Sequence, residues 1–161
     1  MVEGFLFGNR ELEKLGHEHE DHFGFRDNVI VVADGVTRDP LEVLPDVSTD
    51  GGLRIFSEKY MERYGEENPA FESARIIVEE GLKSKDGDVK NVLVSGNPAL
   101  MKYNQKLYGN GLEKVDYVVN DLACCAASCA VVSGKELSWS YVADCGVAVV
   151  SQDAVWKTDV D

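Results

Sequence analysis

The chain has 161 residues, 44% of them hydrophobic, which is sufficient for one domain with a buried core. Acidic residues outnumber basic ones by 29 to 16. The resulting formal net charge of −13 argues against nucleic acid and anionic membrane as partners, because their phosphates would be repelled. We therefore interpret residues 1–161 as a single domain.

The sequence shows no recognisable membrane-spanning segment and no recognisable signal peptide. No segment approaches the ~20 consecutive apolar residues that span a bilayer, and Met1–Arg10 has neither the basic start nor the apolar length of a signal peptide. We therefore expect a cytoplasmic protein. The cysteines show no Cys-x-x-Cys spacing and lie among small apolar residues, so they are predicted to be reduced core residues: Cys124, Cys125, Cys129 and Cys145.

Two features precede the first predicted hairpin. Val2–Gly8 is rich in apolar residues and is predicted to form a first strand. Further on, three histidines fall within the segment His17–His22, and in an extended chain His17 and His19 point to the same face, which is a recognised arrangement for a transition metal. The alternative interpretation is a polar surface segment that binds nothing.

A β-hairpin is predicted next, with acidic residues at both of its ends. His22–Arg26 alternates apolar and polar residues, and Asp27-Asn28 is a typical turn pair. Val29–Ala33 is an unbroken apolar run, mostly β-branched, of the kind that fills a buried strand. If the two strands pair across this turn, the pair Glu20-Asp21 lies beside Asp34-Gly35.

The residues at the open end of this hairpin predict a metal site. A carboxylate at the tip of a rigid strand, followed by a glycine whose carbonyl can face the same point, suits a hard divalent cation that prefers oxygen ligands at fixed distances. The pairing of two acidic clusters on one hairpin favours this interpretation, and so does a later acidic strand end at Asp144. The alternative is a tight turn at Asp34-Gly35 surrounded by solvated carboxylates.

The middle of the chain is predicted to be helical. Ser48-Thr49-Asp50 caps an amphipathic segment that ends at Gly65, and Asn68–Lys83 repeats the same spacing of apolar residues. Asn91–Leu107 carries a third apolar stripe, in which Gly96-Asn97-Pro98 should break or restart the helix. The apolar faces of these helices are predicted to pack on a sheet and form the core.

The remainder of the chain is predicted to form antiparallel strands joined by turns. Strands followed by helices and then by further strands indicate the α+β class rather than an alternation of βαβ units. The predicted strands are Leu122–Val132, Leu137–Ala143, Val147–Val150 and Ala154–Thr158, with a turn at Ser133-Gly134-Lys135-Glu136 and a break at Asp144-Cys145-Gly146.

Two of these segments together resemble a known family. Glu20-Asp21, a short hairpin, and then Val-Ile-Val-Val-Ala-Asp-Gly resemble the opening of the metal-dependent (PPM, type 2C) Ser/Thr protein phosphatases. Ala130–Val150 resembles a later hairpin of that family, whose apolar strands lead into Gly-Asp-Ser-Arg. The resemblance implies two packed antiparallel sheets flanked by helices, a domain incomplete at its C-terminus, and a hydrolase that acts on phosphoproteins.

The resemblance also implies roles for individual residues. Asp34 would bridge two Mn²⁺ or Mg²⁺ ions, the Gly35 carbonyl would bind one of them, and Glu20 would contribute directly or through water. Asp21 would support these ligands from behind, and Asp144 would serve a third, looser ion. Asp34 and Glu20 are thus the candidate catalytic residues, because a water bridging the ions would have its pKa lowered and would attack phosphorus in line.

The chain departs from the family where phosphate would bind. The family has an arginine four residues before its Glu-Asp pair, and this chain has Gly16 there. Arg38 is the candidate replacement, since a guanidinium matches phosphate oxygens, and the alternative is an ion pair with Asp39. Two further metal-binding aspartates of the family have no counterpart before Asp161. A non-catalytic phosphatase-like interaction domain, or a small acidic metal-binding protein centred on the histidines, therefore stays open.

Overall fold

The computed structural model describes residues 19–36, 49–64, 67–84, 88–108, 122–150 and 153–158. It contains two antiparallel sheets, one of four strands and one of two, together with helices, which confirms the predicted α+β class. The predicted first strand at Val2–Gly8 lies outside the described residues. In chain order the elements are β1 (Asp21–Arg26), β2 (Val29–Gly35), α1 (Asp50–Tyr64), α2 (Pro69–Gly81), α3 (Val89–Val94), α4 (Asn97–Tyr108), β3 (Cys125–Ser133), β4 (Glu136–Val142), β5 (Ala148–Val150) and β6 (Val155–Lys157).

The predicted hairpin is confirmed as β1 and β2. The two strands are antiparallel, and the turn is closed by the pairing of Arg26 with Val29. Asp27 has a φ of 54°, in the left-handed region that a short acidic side chain tolerates better than most residues. The turn therefore fixes the register of the whole hairpin, including its acidic open end.

The face of the four-stranded sheet that packs on α2 forms the core. The strand order is β1-β2-β3-β4, so β2 lies between the hairpin partner β1 and the distant strand β3. Val29, Val31 and Ala33 alternate along β2 with more exposed residues and are at most 5% exposed. Each fully buried valine stabilises the fold by about 1.5–3 kcal/mol relative to an exposed one.

α2 lies against β1 and β2 and supplies the facing half of the core. Asn68 precedes the helix in an extended conformation, and its side-chain oxygen accepts a hydrogen bond from the Phe71 N–H, which makes it the N-cap. Pro69 occupies the first turn, where its missing N–H costs nothing. The buried positions recur every three or four residues, as the sequence predicts, at Ala74, Ile77 and Val78.

The third predicted helical segment, Asn91–Leu107, is divided into two helices at its predicted helix-breaking residues. α3 ends at Val94 and α4 begins at Asn97, within the Gly96-Asn97-Pro98 segment. The buried Asn104 of α4 accepts a hydrogen bond from the Ala123 N–H at 2.8 Å and donates one to the Ala123 carbonyl at 3.0 Å, which anchors the start of β3. Among the described helices, none is both long and apolar enough to cross a bilayer.

The C-terminal strands divide between the two sheets. The sequence predicts one continuous series of antiparallel strands, whereas β3 and β4 complete the large sheet and β5 pairs only with β6. The division falls at the predicted break near Asp144. Ala143 there has a φ of 61°, a left-handed conformation that turns the chain away from the direction of β4.

The opposite face of the large sheet, which we call the outer face, is apolar and only partly covered. β5 lies over part of it and leaves an open cleft of about 400 Å³, lined by residues that include Ile30, Val32 and Leu137. Elsewhere on this face Trp139 is 45% exposed and Val132 is 44% exposed. By strand alternation and register the apolar residues of the outer face are Phe23, Phe25, Ile30, Val32, Ala126, Ala130, Val132, Leu137, Trp139 and Tyr141.

Candidate functional site

The open end of the hairpin brings the two acidic clusters together, as the sequence predicts. Asp21 and Asp34 are direct cross-strand partners, so their side chains extend from the same face of the sheet. One step further out, the Gly35 N–H donates a hydrogen bond to the Glu20 carbonyl at 3.2 Å. A rigid, half-buried sheet end therefore holds three carboxyl groups close to one another.

Asp21 and Asp34 interact through their side chains across the two strands. Partial burial, a side-chain hydrogen bond to Asp21, and the charges of Asp21 and Asp144 raise the pKa of Asp34 to about 6. The raised pKa means that Asp34 holds a proton more readily than a free aspartate does, in a position where it faces the side chain of Asp21. Without another positive charge, a proton is what relieves the repulsion between these two side chains.

Glu20 occupies a different environment, against the first turn of α2. Burial raises its pKa to about 7, a hydrogen bond from Asn68 opposes that shift, and the charges of Asp34 and Asp21 add to it. Glu20 is therefore half-buried beside the helix, whereas Asp21 and Asp34 meet on the outer face. The resemblance implied that Glu20 ligates directly or through water and that Asp21 supports the ligands, whereas in the structure Asp21 is the residue that pairs with Asp34 across the strands.

The raised pKa of Glu20 predicts how stability depends on pH in metal-free protein. The folded state binds more protons than the unfolded state between pH 4.5 and about 7, so the free energy of unfolding should fall as pH rises through this window. Because Glu20 is partly exposed, we expect the loss to be about 1–2 kcal/mol. Glu20→Gln should flatten this part of the profile, as measured by urea denaturation in the presence of a chelator.

The matched control for this profile is Glu58→Gln. The Glu58 side chain is 68% exposed on α1, and its replacement should leave the pH dependence of wild type intact. An identical decline of stability in Glu20→Gln and wild type would contradict the proposed environment of Glu20.

Asp144 reaches the acidic cluster from the break between the two sheets. It follows Ala143, whose left-handed backbone redirects the chain after β4, and its charge raises the pKa of Asp34. The Asp144 side chain itself is exposed. The structure thus brings all four predicted acidic residues into one neighbourhood. Arg38, the predicted phosphate ligand, lies outside the described residues, and its role stays a prediction.

Gly35 is required here for a reason that the sequence did not reveal. A Cβ atom at this position would lie 2.3 Å from the Ala70 carbonyl oxygen and 2.7 Å from the Glu20 carbonyl oxygen. Both are backbone atoms, which cannot move aside as the end of a flexible side chain can. The glycine therefore lets the first turn of α2 approach the end of β2 closely.

The thiols of Cys125 and Cys145 flank the acidic cluster and have raised pKa values. All four cysteines are free, but only Cys129 is buried, so the predicted core position holds for that residue and not for the partly buried Cys124, Cys125 and Cys145. Burial is the main cause that raises the pKa of Cys125 to about 12 and that of Cys145 to about 11, and the charge of Asp34 adds to both shifts. Thiols with such pKa values are poor nucleophiles and poor metal ligands at neutral pH.

The two described histidines pack against Phe71 of α2. The rings of His19 and His22 lie edge-on to it, with centroid distances of 6.3 and 5.6 Å. The Nδ1 atom of His19 is 3.2 Å from the Asp21 carbonyl oxygen. His17, the other half of the predicted transition-metal pair, lies outside the described residues, so that prediction stays open.

The acidic cluster fits a divalent cation in charge and in donor type. Carboxylate oxygens are the ligands that Mn²⁺ and Mg²⁺ prefer, and the raised pKa of Asp34 marks a point where positive charge is stabilised. Across the described part of the chain, however, no group of three or more His, Cys, Asp or Glu side chains is arranged to hold a metal ion. The placement seen is that of two facing carboxyl groups, Asp21 and Asp34, with further carboxyl groups nearby.

The contribution of α2 to this site is not evident from the sequence. Asn68 donates a hydrogen bond to Glu20, and Ala70 packs against Gly35. The Asn-Pro pair at the start of the helix was the available signal, but it reveals a cap and not what lies beside it. No protein-family model, curated protein or solved structure matches this chain.

Proposed function

We propose that this chain is a metal-dependent hydrolase of phosphomonoesters, of the phosphoprotein (Ser/Thr) phosphatase type, acting in the cytoplasm with Mn²⁺ or Mg²⁺. The observation that carries the proposal is the contact between Asp21 and Asp34, two carboxyl groups fixed opposite each other at the end of a buried strand. The proposal is supported by the resemblance of this hairpin, and of the later one, to the type 2C phosphatases.

The physical reason for a cation at this point is electrostatic. Two carboxylates held in register repel each other unless a proton or a cation lies between them. Above pH 6, the pKa of Asp34, the proton is increasingly lost, and a divalent ion gains the advantage. Glu20 and Asp144 add negative charge from two further directions, which favours a 2+ ion over a monovalent one.

Each residue would have a defined task in such an enzyme. Asp34 and Asp21 would hold the ion, Glu20 would orient it or its water from the side of α2, and Asp144 would add charge at the open side. When bound, the cation would supply a water of lowered pKa for attack on a phosphorus atom. Because few protein ligands would hold the ion, we expect residues 1–161 to hydrolyse p-nitrophenyl phosphate slowly or not at all.

The second candidate function is a non-catalytic interaction domain with a phosphatase-like fold. One specific observation favours it: the outer face is exposed at Trp139, Tyr141 and Val132, by 45%, 40% and 44% respectively. Exposed apolar surface of this kind is typical of protein–protein contacts. In this case the acidic cluster would serve stability or partner recognition instead of chemistry.

The test of the proposed function is Mn²⁺ binding, measured by calorimetry and by the melting temperature. We expect Asp34→Ala and Glu20→Ala each to weaken binding, and saturating Mn²⁺ at about 100 times Kd to stabilise wild type by about 2.7 kcal/mol. The matched control is Asp27→Asn, which removes one negative charge from the opposite end of the same hairpin, where the side chain is 85% exposed. Unchanged Mn²⁺ binding in both alanine variants would overturn the proposal.

A further inference from the structure

The outer face of the large sheet exposes aromatic and branched side chains on neighbouring strands. Phe25, Trp139 and Tyr141 are between 40% and 49% exposed, and Val32 and Val132 are 38% and 44% exposed. A single exposed apolar side chain is ordinary, but the register of the four strands places these five on the same face of one sheet. Exposed aromatic residues gathered in one patch are typical of surfaces that contact another molecule.

The cleft beside this patch has a floor and one wall. Ile30, Val32 and Leu137 of the large sheet line its floor, and Val147 and Val149 line it from the side of β5. Its volume of about 400 Å³ lies within the range of roughly 300–1,000 Å³ found for ligand-binding clefts. The cleft is otherwise open, so it suits an extended polypeptide segment better than a small molecule that needs to be enclosed.

One end of the outer face is acidic. Asp21 and Asp34 are cross-strand partners, and the next residues along their strands on the same face are Phe23 and Val32. The acidic end and the apolar patch are therefore parts of one continuous surface. Such a surface complements a segment that combines apolar side chains with lysine or arginine. A second copy of the chain fits poorly, because each copy would bring a net charge of −13 to the contact.

We propose that the outer face docks an extended, basic segment of another protein, with its apolar side chains in the cleft beside Trp139 and a lysine or arginine at the acidic end. The dimensions agree with this occupant. From Ile30 to Asp34 the strand rises about 13 Å, which about four or five residues of an extended segment cover. The inference rests on the second candidate function, an interaction domain, and it requires neither a bound cation nor hydrolase activity.

Synthetic peptides test the charge and the apolar character of the partner. The probe is acetylated and amidated Lys-Lys-Leu-Thr-Leu-Thr-Leu, which presents its leucines on one face of an extended chain. We expect it to bind in calorimetry at low salt with a chelator present, and to shift tryptophan emission to shorter wavelength because Trp139 loses water. Peptides with glutamate for lysine, or serine for leucine, should bind at least about tenfold more weakly. No binding of the probe, or equal binding of the glutamate peptide, would overturn the proposal.

Val132→Ser tests where the peptide binds. Val132 is 44% exposed on the outer face, and its cross-strand partner Leu137 lines the cleft. We expect this variant to bind the probe about fivefold more weakly, because less apolar surface is buried in the complex. The matched control is Val94→Ser at the end of α3, where the side chain is 53% exposed, and it should bind as wild type does. Equal affinities of the two variants would rule out docking at the outer face.

Asp21→Asn tests the position of the basic residue. It removes one charge from the acidic end and should weaken binding of the probe about two- to fivefold at low salt, and by less at high salt. Asp27→Asn removes the same charge from the opposite end of the hairpin, where the side chain is 85% exposed, and should weaken binding less. Equal losses in the two variants would contradict the proposed orientation.

The competing explanations are decided by separate measurements. A dimer of the metal-free chain in analytical ultracentrifugation that is lost in Val132→Ser would overturn the proposal in favour of a second copy. Because the probe is bound with a chelator present, peptide binding and Mn²⁺ binding are independent results. Failure of Mn²⁺ binding overturns the proposed hydrolase alone, and failure of peptide binding overturns this inference alone.

Discussion

Gly35→Ala is expected to lower the free energy of unfolding by about 2–4 kcal/mol, and the melting temperature by roughly 5–15 °C. The added methyl group would lie 2.3 Å from the Ala70 carbonyl oxygen, 2.5 Å from the Ala70 carbonyl carbon and 2.7 Å from the Glu20 carbonyl oxygen. These are backbone atoms of a capped helix and of a paired strand. Relief of the clash therefore requires the first turn of α2 to move away from the sheet.

The matched control is Gly51→Ala in α1. A Cβ atom at Gly51 would meet nothing within 4 Å, so the same chemical change tests the helix propensity alone. It should leave stability unchanged or raise it by up to about 1 kcal/mol. Urea denaturation of both variants measures the difference. Equal stability of Gly35→Ala and wild type would show that α2 approaches the end of β2 less closely than described here.

The hairpin and the helix boundaries could be predicted because their signals are local. The alternation in His22–Arg26, the turn pair Asp27-Asn28 and the unbroken run Val29–Ala33 together allow one register. The start of α2 at Asn68-Pro69 and the break at Gly96-Asn97-Pro98 likewise depend on residues that are neighbours in sequence. In each of these cases backbone preference and hydrophobic pattern agree.

The arrangement within the site could not be predicted, because it depends on contacts between distant segments. Successive residues of a strand face opposite sides, so whether Glu20 or Asp21 meets Asp34 is decided by a register shift of a single residue. The partners of Glu20 and Gly35 come from α2, more than thirty residues further along the chain. Nothing near Glu20 in the sequence indicates that Asn68 donates to it.

The resemblance implied two antiparallel sheets and the break near Asp144 was predicted, but which strands belong to each sheet was beyond the sequence. The strand that precedes Ala143 and the one that follows Gly146 both have apolar residues and turn signals, and pairing between them was a reasonable expectation. The left-handed conformation of Ala143 is not encoded by a glycine, and its intrinsic cost must be offset by the surrounding structure. That turn brings Asp144 close enough for its charge to raise the pKa of Asp34.

Asp34→Asn is expected to have opposite effects on binding and on stability. It removes the carboxylate at the centre of the acidic cluster, so Mn²⁺ affinity should fall by at least about 100-fold, more than the loss of a supporting partner typically causes. Any hydrolysis of p-nitrophenyl phosphate that wild type shows with Mn²⁺ should be lost with it. In metal-free protein, by contrast, the variant should be the more stable one at pH 8.

The gain in stability follows from the sign of the pKa shift. The pKa of Asp34 is raised from 3.8 to about 6 in the folded state, so its ionisation destabilises the fold progressively as pH rises through this range. Asparagine cannot ionise, and its amide can donate to Asp21 as the protonated carboxyl group does. Because the side chain is largely exposed, we expect a gain of about 1 kcal/mol at pH 8, or about 2–4 °C in melting temperature.

The pH dependence distinguishes this explanation from a general effect of removing negative charge. At about pH 3, below the unfolded pKa of 3.8, Asp34 is protonated in the folded state and largely protonated in the unfolded state, so the melting temperatures of wild type and Asp34→Asn should converge there. Asp27→Asn removes the same charge at the exposed turn and should gain less at pH 8 than Asp34→Asn does. If Asp34→Asn is less stable than wild type at pH 8 without metal, the Asp34 carboxylate is stabilised by the fold, and the repulsion that would recruit a cation is absent.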